Sequence, residues 1–296
     1  MKEELRWTLT LSEPCFLRKI EELPPKGRRS ALWLRMSEDP EFFARQLFPA
    51  FCRLPFARHH RILFDWHRRM GKKLPLRRGK RFVLAAPRGA AKSTVVSLIL
   101  PAHDIIFERE RYILLLSATE RQAKQRLRAL RQEFDRGEAK LWLPEGERES
   151  SAQTLRLAST QVDAYGSGTE IRGVSSSAWR PTKIILDDAE ASSAASSPRA
   201  RQRLADWFAE VVEHIGDNYT HIIAIGTVLH EKGLIASLLE RPDFTGVRTR
   251  SIETFSPRTD LWAERRRLLL DFSDEDRRQS ARTFFEIQRK AMEEGT

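Results

Sequence analysis

Two short stretches of this chain carry residue types and spacings suited to phosphate chemistry. Arg81 to Thr94 reads RFVLAAPRGAAKST. An apolar run, Phe82 to Ala86, breaks at Pro87-Arg88-Gly89 and closes with Lys92-Ser93-Thr94 ahead of a second apolar segment. Strand, small-residue loop, Lys-Ser and helix form the layout of a phosphate-binding loop. Backbone N–H groups of Pro87-Arg88-Gly89-Ala90-Ala91-Lys92-Ser93-Thr94, Pro87 excepted, would face the phosphates of ATP. The helix dipole favours the anion there. Lys92 would place a point charge at the β- and γ-phosphates, and the Ser93 hydroxyl would ligate Mg²⁺. Both glycine positions of G-x-x-x-x-G-K-[ST] are alanine, Ala86 and Ala91. Alanine tolerates positive φ poorly, so the loop backbone must depart from the usual cradle or carry strain. The second stretch is Lys183 to Glu190, KIILDDAE, an apolar strand running into three carboxylates. Asp187 is the expected Mg²⁺ ligand. Orienting and deprotonating an attacking water falls first to Asp188 and second to Glu190.

These residues need a scaffold that brings positions 92 and 187 together. Near-continuous apolar runs at 82–86, 112–118, 183–187 and 221–226 read as strands covered on both faces. Helical patterns separate them. Ile62, Leu63, Trp66 and Met70 share one face of a helix over 58–70, and Thr119 is placed to cap a helix reaching Phe134. Short helices are expected at 17–23 and 41–47, each stopped by proline. Residues 136–153 read as a surface loop, and 191–199 as a mobile connection. Leu155–Ala158 is a short strand, 166–173 a loop-rich segment, 198–213 a helix and 247–252 an edge strand. From Leu261 the chain turns helical and arginine-rich; its arginines read either as a DNA- or partner-contacting set or as the solvated face of a helix packed through Leu268, Leu269 and Phe272, the latter being favoured for any single arginine. Strands alternating with helices predict an α/β fold with a mostly parallel, doubly wound sheet. Carboxylates at a strand's C-terminal end lie where such sheets bind ligands.

The chain has 296 residues, a formal net charge of +11 and 41% hydrophobic residues. That suits one large domain, with a polyanion as the expected partner, nucleic acid before a membrane surface. Residues 58–81 hold ten Lys or Arg and three His among apolar residues, a basic helix face that would meet a nucleic-acid backbone or a nucleotide, or simply face solvent. His59 and His60 have no partner spacing that suggests a metal. Two isolated cysteines, Cys15 and Cys52, argue against a disulfide framework or a structural zinc site and suit a reducing compartment. No run of 18 apolar residues is present, so no membrane helix is expected.

Taken in order, APRGAAKST, LLLSATERQA, GTEIRG, IILDDAE and IGTVLHEKGLI resemble the ATPase part of the large terminase subunit of tailed bacteriophages, a viral DNA-packaging motor. The resemblance covers roughly Phe56 to Phe255. It implies a RecA/ASCE-like P-loop NTPase over 56–256, a helical lead-in over 1–55 and a linker or tail over 257–296. It implies ATP and Mg²⁺ as cofactors, with Lys92, Ser93 and Asp187 in the nucleotide and metal roles. Arg88 matches an arginine inside the family's P-loop. Asp188, or Glu190 in a looser register, falls on the catalytic carboxylate. Arg172-Gly173 matches an arginine-finger element that reaches a neighbouring subunit. Gly226-Thr227 lies where the family couples the γ-phosphate state to its DNA-gripping parts. The resemblance further implies double-stranded DNA, a portal protein and a small terminase subunit as partners, a ring of five copies when assembled with a monomer as the alternative in isolation, and action in the host cytoplasm at the procapsid portal. The family normally continues into a nuclease. This sequence stops in what resembles the linker, so the nuclease is expected either as a truncated domain or as a separate chain.

Two other readings stay open on the residues alone. One is another P-loop ATPase acting on nucleic acid, such as a helicase or transposition helper. The other is a basic DNA-binding scaffold whose alanine-bearing pocket binds nucleotide without hydrolysing it.

Overall fold

A computed structural model of the chain describes residues 6–70, 78–171, 179–251 and 254–294. It divides into two compact units, one reaching Arg248 and the other beginning at Thr249.

The first unit is built on an eight-stranded sheet. Its strands are β1 (Arg81–Ala85), β2 (Tyr112–Ser117), β3 (Arg148–Ser150), β4 (Thr154–Leu157), β5 (Thr160–Gly166), β6 (Lys183–Asp187), β7 (His221–Gly226) and β8 (Thr245–Arg248). Their order is β3-β4-β5-β2-β6-β7-β1-β8. The six strands from β5 to β8 in that order run parallel, and β3 and β4 add an antiparallel edge. The expected α/β class with a mostly parallel sheet is the one observed. Strand β7 separates β1, which leads into the loop before Lys92, from β6, which ends at Asp187.

The sheet is apolar on both faces, and alternation along each strand shares its residues between two cores. Phe82 and Leu84 of β1, Ile113 and Leu115 of β2, and Ile223 and Ile225 of β7 enter one core. Val83, Ala85, Leu114, Leu116, Ile222 and Ala224 enter the other. The first core is covered by helices α1 (Glu13–Glu21), α2 (Pro25–Glu38), α3 (Pro40–Leu47) and α4 (Arg58–Met70). Helix α5 (92–106) follows β1, and α6 (Glu120–Arg136) follows β2. The second core is covered by α8 (198–215), through Leu204, Trp207, Phe208 and Val212, and by α9 (Leu234–Glu240), through Leu234, Ile235 and Leu238. A short α7 (Ser192–Ser196) occupies the segment expected to be a mobile connection.

Several boundaries differ from the sequence reading. Pro25 begins a helix besides stopping one, because proline's missing N–H costs nothing at a first helical position; this yields the 14-residue α2. Strand β5 has no counterpart in the sequence reading, because Gln161 and Asp163 look like surface residues. Both are buried: Asp163 accepts from Tyr112 Oη at 2.7 Å and from Gln161 Nε2 at 2.9 Å. The expected loop 136–153 contains a 3₁₀ turn at Glu138–Trp142 and edge strand β3. Thr119 caps α6 as expected, accepting from the Gln122 N–H at 3.3 Å.

Beneath the sheet lies a buried charge cluster. Asp104 of α5 accepts from Lys183 of β6, and Glu110 lies 3.2 Å from the same ammonium. Burial raises the Asp104 carboxyl to about 6 despite Lys183. His67, His103 and Asp104 bring one ligand atom each within 4.8 Å of one another. The Lys183 ammonium already supplies the cation for that carboxylate, so the cluster serves as an internal ion pair.

The second unit contains two helices, α10 (Thr259–Leu269) and α11 (Arg277–Glu293). They pack through Trp262 and Phe285, with ring centres 5.9 Å apart, and Trp262 Nε1 donates to the Met292 carbonyl at 3.1 Å. The expected Leu268–Leu269–Phe272 face is not the packed one, since Phe272 is 78% exposed. Arg267 and Arg282 pair with Glu264 and Glu286 on their own helices, as solvated faces do. Among the described residues, no helix is long and apolar enough to cross a membrane.

Candidate active site

The carboxyl ends of β1, β2, β6 and β7 meet at one rim because these strands are parallel and in register. Ser117 pairs with Asp187, Asp187 with Ile225, and Ala85 with Gly226. The loops leaving that rim line an open cavity of about 550 Å³.

The loop after β1 turns through two left-handed residues, Gly89 at φ 77° and Ala91 at φ 49°. A Cβ at Gly89 would meet nothing within 4 Å, so the glycine there answers a backbone demand rather than a close contact. Ala91 sits at the cap position of α5 and takes the strained conformation that its sequence position implied. Lys92, only 4% exposed, is thereby aimed back across the loop. Its Nζ donates to the Pro87 carbonyl at 3.4 Å and to Thr227 Oγ1 at 3.3 Å, and lies 3.5 Å from Asp188 Oδ2. Thr227 Oγ1 in turn donates to the Ala86 carbonyl at 3.2 Å.

Asp187 ends β6 with its carboxylate buried beside α5. Ser93 Oγ donates to Oδ1 at 2.7 Å, Ser97 Oγ donates to Oδ2 at 2.8 Å, and Arg126 Nε of α6 lies 3.0 Å from Oδ2. Burial pushes the Asp187 carboxyl up, against the pull of Arg126, Ser93 and Ser97. Ser93 and Asp187 offer adjacent hard oxygen donors, the set Mg²⁺ accepts. A buried carboxylate whose ionised form is incompletely stabilised is also one that a bound cation would favour.

Asp188 turns off the strand at φ 47°, its N–H donating to the Ile225 carbonyl at 2.9 Å. This reversal brings Asp188 to the cavity on the side where Asp187 is buried behind Ser93, whereas within a strand adjacent residues would point to opposite faces. Glu190 lines the cavity further in and is 7% exposed. Burial raises its carboxyl, while the Leu234 N–H and Arg201 pull the other way. Gly233 gives it room, because a Cβ there would stand 2.6 Å from Glu190 Oε2. Arg88 projects from the loop to Ser192 Oγ at 2.8 Å. Gly226 ends β7 between β1 and β6, and Thr227 follows it into the cavity wall. Arg172 and Gly173 lie outside the described residues.

Two residues at this site are not singled out by the sequence. Ser97 falls four residues after Ser93, one helical turn on the same face, and the π-wound turns Val95–Ile99 surround it. Arg126 flanks the buried stripe Ala123–Leu127 on the helix that starts from the same rim. Both are legible as positions, but nothing in their type distinguishes them from an ordinary helix serine and a solvated arginine.

No protein-family model matches the chain, and no curated protein sequence does. Among solved structures the chain is similar to the large terminase of bacteriophage HK97, at 13% identity and a TM-score of 0.46, over 80% of this chain and 48% of that one. It is also similar to the large terminase of a thermophilic bacteriophage, at 10% identity and a TM-score of 0.41, over 66% of this chain and 46% of that one. The chain thus spans about half the length of each.

Proposed function

We propose that the chain is the ATPase part of a DNA-packaging motor of the large-terminase kind, hydrolysing ATP to move double-stranded DNA into a viral procapsid. The observation that carries the ATPase reading is the meeting of Lys92, Ser93 and Asp188 in one cavity at the carboxyl rim of a parallel sheet, with Asp187 buried directly behind Ser93 and hydrogen-bonded to it. The order of motifs along the chain supports the motor reading.

In this reading the loop N–H groups and the Lys92 ammonium bind the triphosphate, and Arg88 adds charge from the same subunit. Ser93 and Asp187 would hold Mg²⁺, which supplies charge neutralisation at the β- and γ-phosphate oxygens. Asp188, with its side chain 43% exposed, orients and deprotonates the attacking water. Glu190, buried in the same cavity, is the second candidate for that role. Arg172 completes the charge stabilisation in a neighbouring subunit of a ring, and Gly226-Thr227 passes the phosphate state to the DNA-holding parts. Duplex DNA, a portal protein, a small terminase subunit and a nuclease, fused or separate, are the corresponding partners, and the host cytoplasm is the place of action. DNA contacts are with phosphate, consistent with a charge of +11, and weaken steeply with salt.

The deciding experiment is phosphate release by the wild type and by Lys92→Ala, with and without duplex DNA. Turnover that disappears in Lys92→Ala is the expected result. Turnover unaffected by the substitution would refute the assignment. Stoichiometric ATP binding without phosphate release would replace it with the non-catalytic scaffold.

A further inference from the structure

Helix α4 delivers two imidazoles to a single oxygen of the phosphate loop. His59 Nε2 lies 2.9 Å, and His60 Nε2 2.8 Å, from the carbonyl oxygen of Ala90. A carbonyl only accepts, so both rings carry a proton on Nε2 and donate it. The far side of His60 agrees, because its Nδ1 accepts from the Ala57 N–H at 3.2 Å. His60 is therefore the neutral Nε2–H tautomer. Its burial, and the neighbouring His59, hold it below the usual imidazole range. The two ring centres are 4.0 Å apart, and Phe56 packs edge-on against His60 at 5.8 Å and against Phe64 at 4.9 Å. His60 is thus fixed from behind by the first core.

The carbonyl they hold belongs to the peptide that joins Ala90 to Ala91, the residue at φ 49°. Glycine reaches that conformation freely, whereas alanine must be held there. Neither histidine lines the cavity, while Ala90 and Ala91 both do. We propose that His59 and His60 are positioning residues for the phosphate loop. By fixing the Ala90 carbonyl they keep Ala91 left-handed, the task that glycine performs unaided in G-x-x-x-x-G-K-[ST], and so keep Lys92 and the loop N–H groups aimed into the cavity. The consequence for nucleotide binding rests on the ATPase reading; the mechanical link between the histidines and Ala91 does not.

The test is a double-substitution cycle read in two ways: the affinity for a non-hydrolysable Mg²⁺–ATP analogue, and the thermal midpoint of nucleotide-free protein. His60→Leu removes one donor and should weaken analogue binding by roughly 5- to 10-fold. His60→Gln, whose amide N–H can occupy the place of Nε2–H, should stay within about twofold of wild type. Ala91→Gly removes the need for the clamp, so adding His60→Leu to it should cost less than about twofold, and the two substitutions should be non-additive in midpoint. Equal losses in the alanine and glycine backgrounds, or a Gln variant no better than Leu, would overturn the proposal. If His60→Leu does not fold, His59→Leu, at the more exposed ring, carries the same cycle. A wild type that melts cooperatively but binds no analogue would remove the ATPase reading. The midpoint cycle would then decide the clamp on its own, with additive midpoints overturning it.

Discussion

The hydroxyl of Ser93 lies 2.7 Å from the carboxylate of Asp187, although 94 positions separate them in the chain. The contact joins the start of α5 to the end of β6 across the intervening β7. It places a carboxylate directly behind a hydroxyl of the cavity wall, with the ammonium of Lys92 in the same wall. A structural hydrogen bond alone would be served by any hydroxyl–carboxylate pair; the nearby Lys92 makes the pair suitable for a metal–triphosphate.

The two carboxylates after Asp187 should separate in kinetics. Asp188→Asn is expected to lower kcat by about 10²- to 10⁴-fold with analogue affinity little changed, the signature of a lost proton acceptor. Glu190→Gln should cost less than about tenfold, because its acyl group still fills the space beside Gly233. The reverse ranking, measured by single-turnover phosphate release, would move the base to Glu190.

Arg126 bears on pH dependence. Asp187 must be ionised to hold a cation, burial opposes that ionisation, and Arg126 favours it. Arg126→Gln leaves burial less opposed, so the Asp187 carboxyl rises further and the acid limb of the activity profile moves to higher pH. Ser97→Ala should move it in the same direction. A profile unchanged in both variants would show that neither group tunes Asp187.

His221 should contribute to the acid sensitivity of folding. Its Nδ1 accepts from the Lys80 N–H at 3.0 Å. Burial first, then Lys183, bring its imidazole down to about 4. Its folded value lies below the unfolded one, so the unfolded chain binds the extra proton between those values and stability falls as pH drops through that window. From pH 7 to pH 5 the loss from this residue is about 2 kcal/mol. His221→Asn, which can still accept from Lys80, should flatten the fall in denaturant midpoint over that range. A slope identical to wild type would exclude His221 as its source.

The proposed role of Arg172 in a neighbouring subunit makes a complementation prediction. Arg172→Ala and Lys92→Ala chains, each inactive, should regain part of the wild-type rate when mixed, since a Lys92→Ala subunit can lend its Arg172 to an intact pocket. Activity per chain should also rise with protein concentration. No recovery on mixing, in assemblies shown to contain both chains, would place Arg172 in its own subunit's site or in none.

Much of this arrangement can be read from the chain. Strands β1, β2, β6 and β7 stand out because burial on both faces makes them nearly unbroken apolar runs, and a parallel sheet then puts their polar ends at one rim. Lys92 and Asp187 follow from that logic. Strand β5 does not stand out, because Gln161 and Asp163 satisfy each other and Tyr112 inside the sheet, a pairing visible only across strands. Helix α2 is hidden by Pro25, which reads as a stop but also serves as a start. His59 and His60 of α4 offer no metal spacing, and their common target is a main-chain oxygen, which leaves no mark in side-chain patterns.

Strand β7 carries one more implication. The Ala86 N–H donates to the Gly226 carbonyl and the Asp188 N–H to the Ile225 carbonyl, while Thr227 is held by Lys92 and holds Ala86. The tip of that strand is therefore a keystone wedged between the loop on one side and the acidic turn on the other. A shift of the 86–92 loop would therefore be felt first at Thr227, from which the chain runs on to α9.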